Sequence, residues 1–270
     1  MIYSDKALSQ KLERTEARTN ADFVETRARL DPACGAAWIE VGGAYAMFDG
    51  VESPLTQTFG LGIFEETTPE HLDEIEAFFR KREAPIFHEV SPMADPSLMA
   101  LLSDRGYRPI ELTSVMYREL DVPIQKRHRI ADLATRVIDE SEVELWARTS
   151  AEAWTAEHKE LGEFMFNFGS VSASCRGSYP YIAELHGQPI ATGMLFIYDD
   201  VAMLAGASTI VSGRNQGAQT ALLEDRLDLA ASQDCSLAIM GAAPGSQSQK
   251  NAQKNGFHIA YTRTKWQLIG

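Results

Sequence analysis

Gly106-Tyr107 and Gly256-Phe257 occupy the same place in two stretches of this chain that spell one order of elements. Each pair follows a short helical run and opens a β-rich one: DPSLMALLSDRGYRPIELTSVMYREL in the first half, GSQSQKNAQKNGFHIAYTRTKWQL in the second. Read outward from these segments, both halves give hairpin, strand, helix, strand, short helix, glycine-aromatic, strand. A duplicated unit constrains the fold more than any single pattern does, because each copy must be an assembly that can be built twice. The expectation is two tandem domains, 1–120 and 133–270. A linker at 121–132 joins them, carrying Pro123 and the basic run Lys126, Arg127, His128 and Arg129, which reads as a solvated tether rather than a phosphate site. A chain of 270 residues has room for two modest cores.

Within the first half, apolar positions Leu8, Leu12, Ala17, Ala21, Phe23 and Val24 recur among charges and predict a helix from Ser4 to about Leu30. AAWIEV and AYAMF, separated by Gly42 and Gly43, read as a hairpin. TQTFGLGIF reads as a third strand, TPEHLDEIEAFFRKR as a helix capped by Thr68, and APIFHEV as a strand. The second half restarts with a strand at TRVID and a helix at ESEVELWARTSAEAW. A less regular Ser- and Gly-rich region follows, then hairpin strands YPYIAEL and PIATGMLFIY, and a strand at VAMLAGASTIV. The overall class is α/β with mixed sheets.

The net charge of −13 disfavours a nucleic-acid surface, which needs clustered Lys and Arg, and suits an acidic solvated face or a cationic small substrate. No apolar run approaches the roughly 20 residues of a membrane span. The first residues are too charged for a secretory signal. Cys34, Cys175 and Cys235 show no metal-type spacing and cannot all pair, so a cytoplasmic setting without metal is expected. The histidines show no ligand spacing either. Ser174, Cys175 and Ser178 have no identifiable base, which argues against covalent catalysis.

The richest stretch is SGRNQGAQTALLEDRL, from Ser212, placed between a strand and a strong helical pattern. A helix start offers unpaired N–H groups and the positive end of the helix dipole. Gly217 lets backbone approach a ligand without an intervening Cβ, and Arg214 adds a charged donor. In this register, Arg214, Gln216, Gly217 and Ala218 resemble the signature of the GNAT superfamily of acetyl-CoA-dependent N-acetyltransferases. Gln219 stands where a small residue is common. The resemblance covers most of Arg136 to Leu268 and includes the closing NGF segment.

That resemblance implies two tandem GNAT-like domains, each a mostly antiparallel splayed sheet flanked by helices. It implies acetyl-CoA as cosubstrate, its diphosphate held by Arg214, Asn215, Gln216, Gly217, Ala218, Gln219 and Thr220, with Asn251 as a further contact. Gly206 marks a bulge in the preceding strand. By resemblance Ala207, Ser208 and Thr209 would line the pantetheine and acetyl group there. The acceptor would be a primary amine of a small cationic molecule, and the protein a monomer or homodimer binding neither nucleic acid nor membrane. The acid that relatives place on the short helix falls here on Ala252. Candidate bases are Glu184 in YPYIAEL and Glu157, His158 or Glu163 in the irregular stretch. A non-catalytic acyl-CoA-binding or regulatory module is the alternative. In the first half, Glu65, Glu66 and Glu70 stand where the phosphate loop would be, so that half is expected to have lost the cofactor. His88 and Glu89 are either part of a substrate pocket or structural.

Overall fold

The computed structural model describes residues 3–121, 124, 126–156 and 159–269. They pack into two compact units, Met1–Arg118 with Ile239–Gly270, and Glu119–Ala238. The expected domains 1–120 and 133–270 are each contiguous in sequence. The first compact unit is not, because the end of the chain packs with the first half.

In the first unit α1 (Lys6–Leu30) starts at Asp5, whose side chain accepts from the Leu8 N–H. Its Ala17, Ala21 and Val24 pack on Tyr45, Met47 and Phe59 of the sheet. β1 (Ala37–Val41) and β2 (Ala44–Phe48) form the expected hairpin. Its turn places Gly42 and Gly43 at φ 55° and 76°, the doubly left-handed geometry of a tight hairpin. β3 is shorter than its sequence pattern, Gln57–Phe59, because Gly60 and Gly62 turn left-handed and end it. α2 (Pro69–Arg80) begins with a reciprocal cap between Thr68 and His71. β4 (Phe87–Val90) pairs parallel to β3, and α3 (Ser97–Asp104) leads into the long β5 (Tyr107–Glu119).

The last three elements of this unit come from the other end of the chain. They are β10 (Leu237–Ala242), where the unit boundary falls, α7 (Gln247–Lys254) and β11 (His258–Leu268). Strand order is β1-β2-β3-β4-β11-β5-β10. β11 lies antiparallel to both β4 and β5, so the closing strand of the second half separates two strands of the first. Buried Arg263 fastens it. Its guanidinium reaches Glu89 at 2.9 Å, Glu16 at 2.8 and 3.0 Å and Glu13 at 3.3 Å, over the ring of Phe59.

The second unit is antiparallel throughout, in the order β9-β8-β7-β6. Its strands are β6 (Leu133–Val137), β7 (Ser178–Leu185), β8 (Gln188–Tyr198) and β9 (Val201–Thr209). α6 (Ala218–Ser232) packs Ala218, Ala221 and Leu222 on Leu133, Tyr181, Ala183 and Ile190. α4 (Val143–Thr155) lays Trp146 against Ile182 and Met194. The region read as irregular contains a further helix, α5 (Gly162–Ala173). Gly169 lets it approach α4: a Cβ there would lie 3.4 Å from the Ala147 Cα and from the Trp146 ring.

Candidate functional site

β9 carries the bulge that Gly206 suggests. Thr192 pairs with Ser208 and Met194 with Ala205, so Gly206 and Ala207 face the single residue Gly193. Gly206 is left-handed at φ 60°, and both bulge residues are exposed. Two backbone units of a strand are thereby released from the ladder to β8 while the chain on each side stays paired.

Side chains of α6 hold this distortion from within the unit. Gln219, the departure from the glycine-rich signature, donates its amide to the Ser208 carbonyl at 2.7 Å and to Thr209 Oγ1 at 3.0 Å. It therefore ties the helix start to the end of β9. Ser208 Oγ and Thr192 Oγ1 share a 2.8 Å hydrogen bond. The side chains of Ser208 and Thr209 are thus engaged in shaping the strand end. Ala207 is the bulge residue that faces outward.

Beyond β9 a single 3₁₀ turn (Val211–Gly213) leads to Arg214, after which Asn215 is left-handed at φ 63°. Gly217, the N-cap residue of α6, is left-handed at φ 78°. Among the described residues no side chain caps α6, so its first-turn amides keep their donors for another partner. A Cβ on Gly217 would meet no protein atom within 4 Å, so within the protein the glycine serves backbone conformation.

The basic cluster of the linker does not behave as a solvated tether. The Arg127 N–H donates to Glu224 at 3.1 Å, Arg129 forms a two-pronged pair with Asp225 at 2.5 and 2.9 Å, and Lys126 reaches Asp228 at 2.5 Å. This strap lies along α6. It encloses a cavity of about 200 Å³ lined by Arg127, His128, Arg129, Asn215, Gln216 and Gly217, with Thr220 and Glu224 on the helix wall. The structure thus brings the loop Asn215–Gly217 together with basic residues that the sequence alone did not connect to it.

The remaining expected residues lie elsewhere. Glu184 is on β7, paired with Arg136 at 2.9 Å, and Arg136 also grips Glu142 with two bonds of 2.6 Å. That pairing holds the Glu142 carboxyl down at about 2. β7 is two strands from β9, about 10 Å away. Glu163 is exposed in the first turn of α5, and Glu157 and His158 lie outside the described residues. Asn251 is exposed on α7 in the first compact unit, where it accepts from Gln247 at 2.8 Å. His88 and Glu89 are buried in that same unit, Glu89 in the Arg263 cluster, which fits the structural role. Among the described residues no group of three or more His, Cys, Asp or Glu is placed to hold a metal, and no helix is long and apolar enough to cross a membrane.

Sequence reasoning overlooked Arg226. It follows Leu222 by one helical turn, on the buried face of α6, and a charge at such a position was a readable signal. The guanidinium is buried beneath β8 and β9 and donates to the carbonyls of Leu222 at 3.0 Å, Met194 at 3.0 Å and Ala205 at 3.3 Å.

No protein-family model matches the chain, and no curated protein matches it. Solved structures do. A GCN5-related N-acetyltransferase from Kribbella flavida superposes with a TM-score of 0.68 at 17% identity, over 94% of this chain and 95% of that one. A tandem GNAT protein from the clavulanic acid biosynthesis pathway gives 0.59 at 13%, over 100% and 98%. A GCN5-related N-acetyltransferase from Sphaerobacter thermophilus gives 0.56 at 13%, over 84% and 77%. At such identities the likeness establishes the fold, which is the GNAT fold in tandem form.

Proposed function

We propose that this protein is an N-acetyltransferase that moves the acetyl group of acetyl-CoA to a primary amine of a small cationic molecule. The observation that carries the reading is one continuous path in the second unit. It runs from the bulged, outward-facing backbone at Gly206–Ala207 to the left-handed loop Asn215–Gly217 and the uncapped start of α6. A thioester-bearing arm ending in a diphosphate has the chemistry to match both ends.

On this reading the amides at Gly217, Ala218, Gln219 and Thr220, with Arg214, receive the diphosphate, and Arg127 adds positive charge from the strap. The arm lies along β9. The thioester oxygen then meets the amide at Ala207, which stabilises the oxyanion as it forms. A neutral amine attacks the carbonyl carbon. The tetrahedral intermediate collapses with loss of the C–S bond, and the thiolate takes up a proton while the new ammonium loses one to water. The chain's acidity, −13 overall, favours approach of a cation.

The alternative, a module that binds acyl-CoA without turning it over, draws on Ala252. This residue is buried on α7 where an acid would be expected. Calorimetric titration with acetyl-CoA, followed by thiol release across a panel of polyamines, amino-acid amides and amino sugars, tests both. Saturable binding of one acetyl-CoA per chain with amine-dependent thiol release is expected. Binding without release selects the binding module; a folded protein that ignores millimolar acetyl-CoA overturns both.

A further inference from the structure

The bulge of β9 rests on a buried cation. Arg226 is 3% exposed, and its three hydrogen bonds all end on backbone carbonyls. Two of those carbonyls, Met194 and Ala205, form the paired position immediately before the bulge. Burial lowers its pKa to about 10, so it stays charged at neutral pH, and among the described residues no carboxylate forms an ion pair with it. A guanidinium held this way is costly to bury, and its charge is not cancelled locally.

Gly193 completes the arrangement. It is the residue opposite the bulge, and a Cβ on it would stand 2.8 Å from the Arg226 Cζ and 2.9 Å from Nη1. The guanidinium occupies that space, so a side chain at 193 would have to push it aside. Gly193, Gly206 and Arg226 therefore specify one another: the missing side chain admits the cation, the cation draws in two carbonyls, and the strand beyond them buckles outward.

We propose that Arg226 is a positioning residue, one that fixes the bulge at Gly206–Ala207 and places an uncancelled positive charge behind the strand that receives the acetyl group. The charge adds to the polarisation of the thioester carbonyl without touching it. The second clause rests on the acetyltransferase reading; the first does not.

The experiment uses the full chain with Arg226→Met, Arg226→Lys and Gly193→Ala. Hydrogen exchange over residues 201–209 is measured without any ligand. Arg226→Met is expected to speed exchange there at least about tenfold, because the carbonyl anchors are gone. The carbonyl stretch of bound isotopically labelled acetyl-CoA and the kinetic constants are then compared. In Arg226→Met the stretch should return toward that of free acetyl-CoA. kcat should fall roughly 10-fold to 100-fold while acetyl-CoA affinity stays within about threefold. Arg226→Lys should recover part of the stretch and less of the exchange protection. If Arg226→Met does not fold, Gly193→Ala decides, since it displaces the guanidinium but keeps the charge. Wild-type exchange over 201–209 in the folded variant overturns the proposal whether or not acetyl-CoA binds. Loosened exchange with an unmoved carbonyl stretch overturns the electrostatic clause. Absence of acetyl-CoA binding by the wild type overturns the acetyltransferase reading and the electrostatic clause with it, leaving the bulge clause to the exchange data.

Discussion

His88 sits on β4 with no hydrogen-bond partner among the described residues for either imidazole nitrogen, its ring 4.8 Å from that of Tyr107. Burial lowers its pKa from 6.5 to about 3. The unfolded chain therefore binds a proton between these values that the folded chain refuses, and stability is lost as pH falls through that window, by at most about 1.4 kcal/mol per unit. Glu13 does the reverse. Burial outweighs the attraction of Arg263 and raises it from 4.5 to about 7, so its contribution is full below 4.5 and lost as pH rises to 7. The two slopes oppose each other from 4.5 to 6.5. Phenylalanine fills the imidazole's place without a titrating group, so His88→Phe should remove one slope and leave the other. Urea unfolding at pH 7, 5.5 and 4 should show the variant gaining on the wild type by about 1 kcal/mol per unit below pH 6. Parallel curves would mean that His88 is solvated or hydrogen-bonded after all. Arg263→Leu removes the cation shared by Glu13, Glu16 and Glu89, leaving buried Glu13 without an ion pair while Lys265 still reaches Glu89 at 3.3 Å, and should cost about 3–5 kcal/mol at pH 7, read by the same unfolding measurement.

At the scale of elements, the loop before α6 is the most legible part of the chain, because a positive φ restricts a position largely to glycine. Gly217 and Gly206 read as backbone positions from the sequence, and both are left-handed. α5 was not legible. GEFMFNFGSVSA mixes aromatic, small and β-branched residues without a clean period, and its helicity comes from packing on α4, which a local pattern does not contain. Gln219 looked like a flaw in a motif and proves to be the clamp between α6 and β9. The strap from Lys126 to Arg129 was read as solvated because its carboxylate partners lie about a hundred residues on, in a helix. The Gly217 geometry yields a direct test. A Cβ there meets no protein atom within 4 Å, so the strain of valine starts from the left-handed φ, which costs a side-chain-bearing residue roughly 1–2 kcal/mol. Gly217→Val should turn the first-turn amides away and weaken coenzyme A binding about tenfold or more in calorimetry. Gly217→Asn, which tolerates that conformation, should stay within about threefold of wild type. Equal affinity in all three proteins would separate the loop from the cofactor.

Over the whole molecule, the duplication that the sequence announces is built with its closing strands exchanged. A first domain of 1–120 would hold its own closing strand; the structure places β11 beside β4, and β5 between β11 and β10. A strand's residues fix its pleat and its faces, not which copy of a repeated partner it joins, so two similar closing strands read identically in sequence. What discriminates them is Arg263, whose carboxylate partners Glu13, Glu16 and Glu89 all belong to the first half. Neither half is then a folding unit by itself. A fragment of residues 1–120 would lose β11 from between β4 and β5, and with it the cation that balances three buried or half-buried carboxylates, at about 3–5 kcal/mol. It would also uncover the places of Tyr261 and Trp266, each buried in the intact chain and worth about 2–3 kcal/mol. That total rivals the roughly 5–15 kcal/mol that holds a whole domain together. The fragment should therefore show a collapsed, poorly dispersed amide spectrum and no cooperative melting. Adding a peptide of residues 237–270 should restore dispersion, and the same peptide with Arg263→Leu should not. A sharp thermal transition in the 1–120 fragment alone would show that the exchanged strand is dispensable to the core it completes.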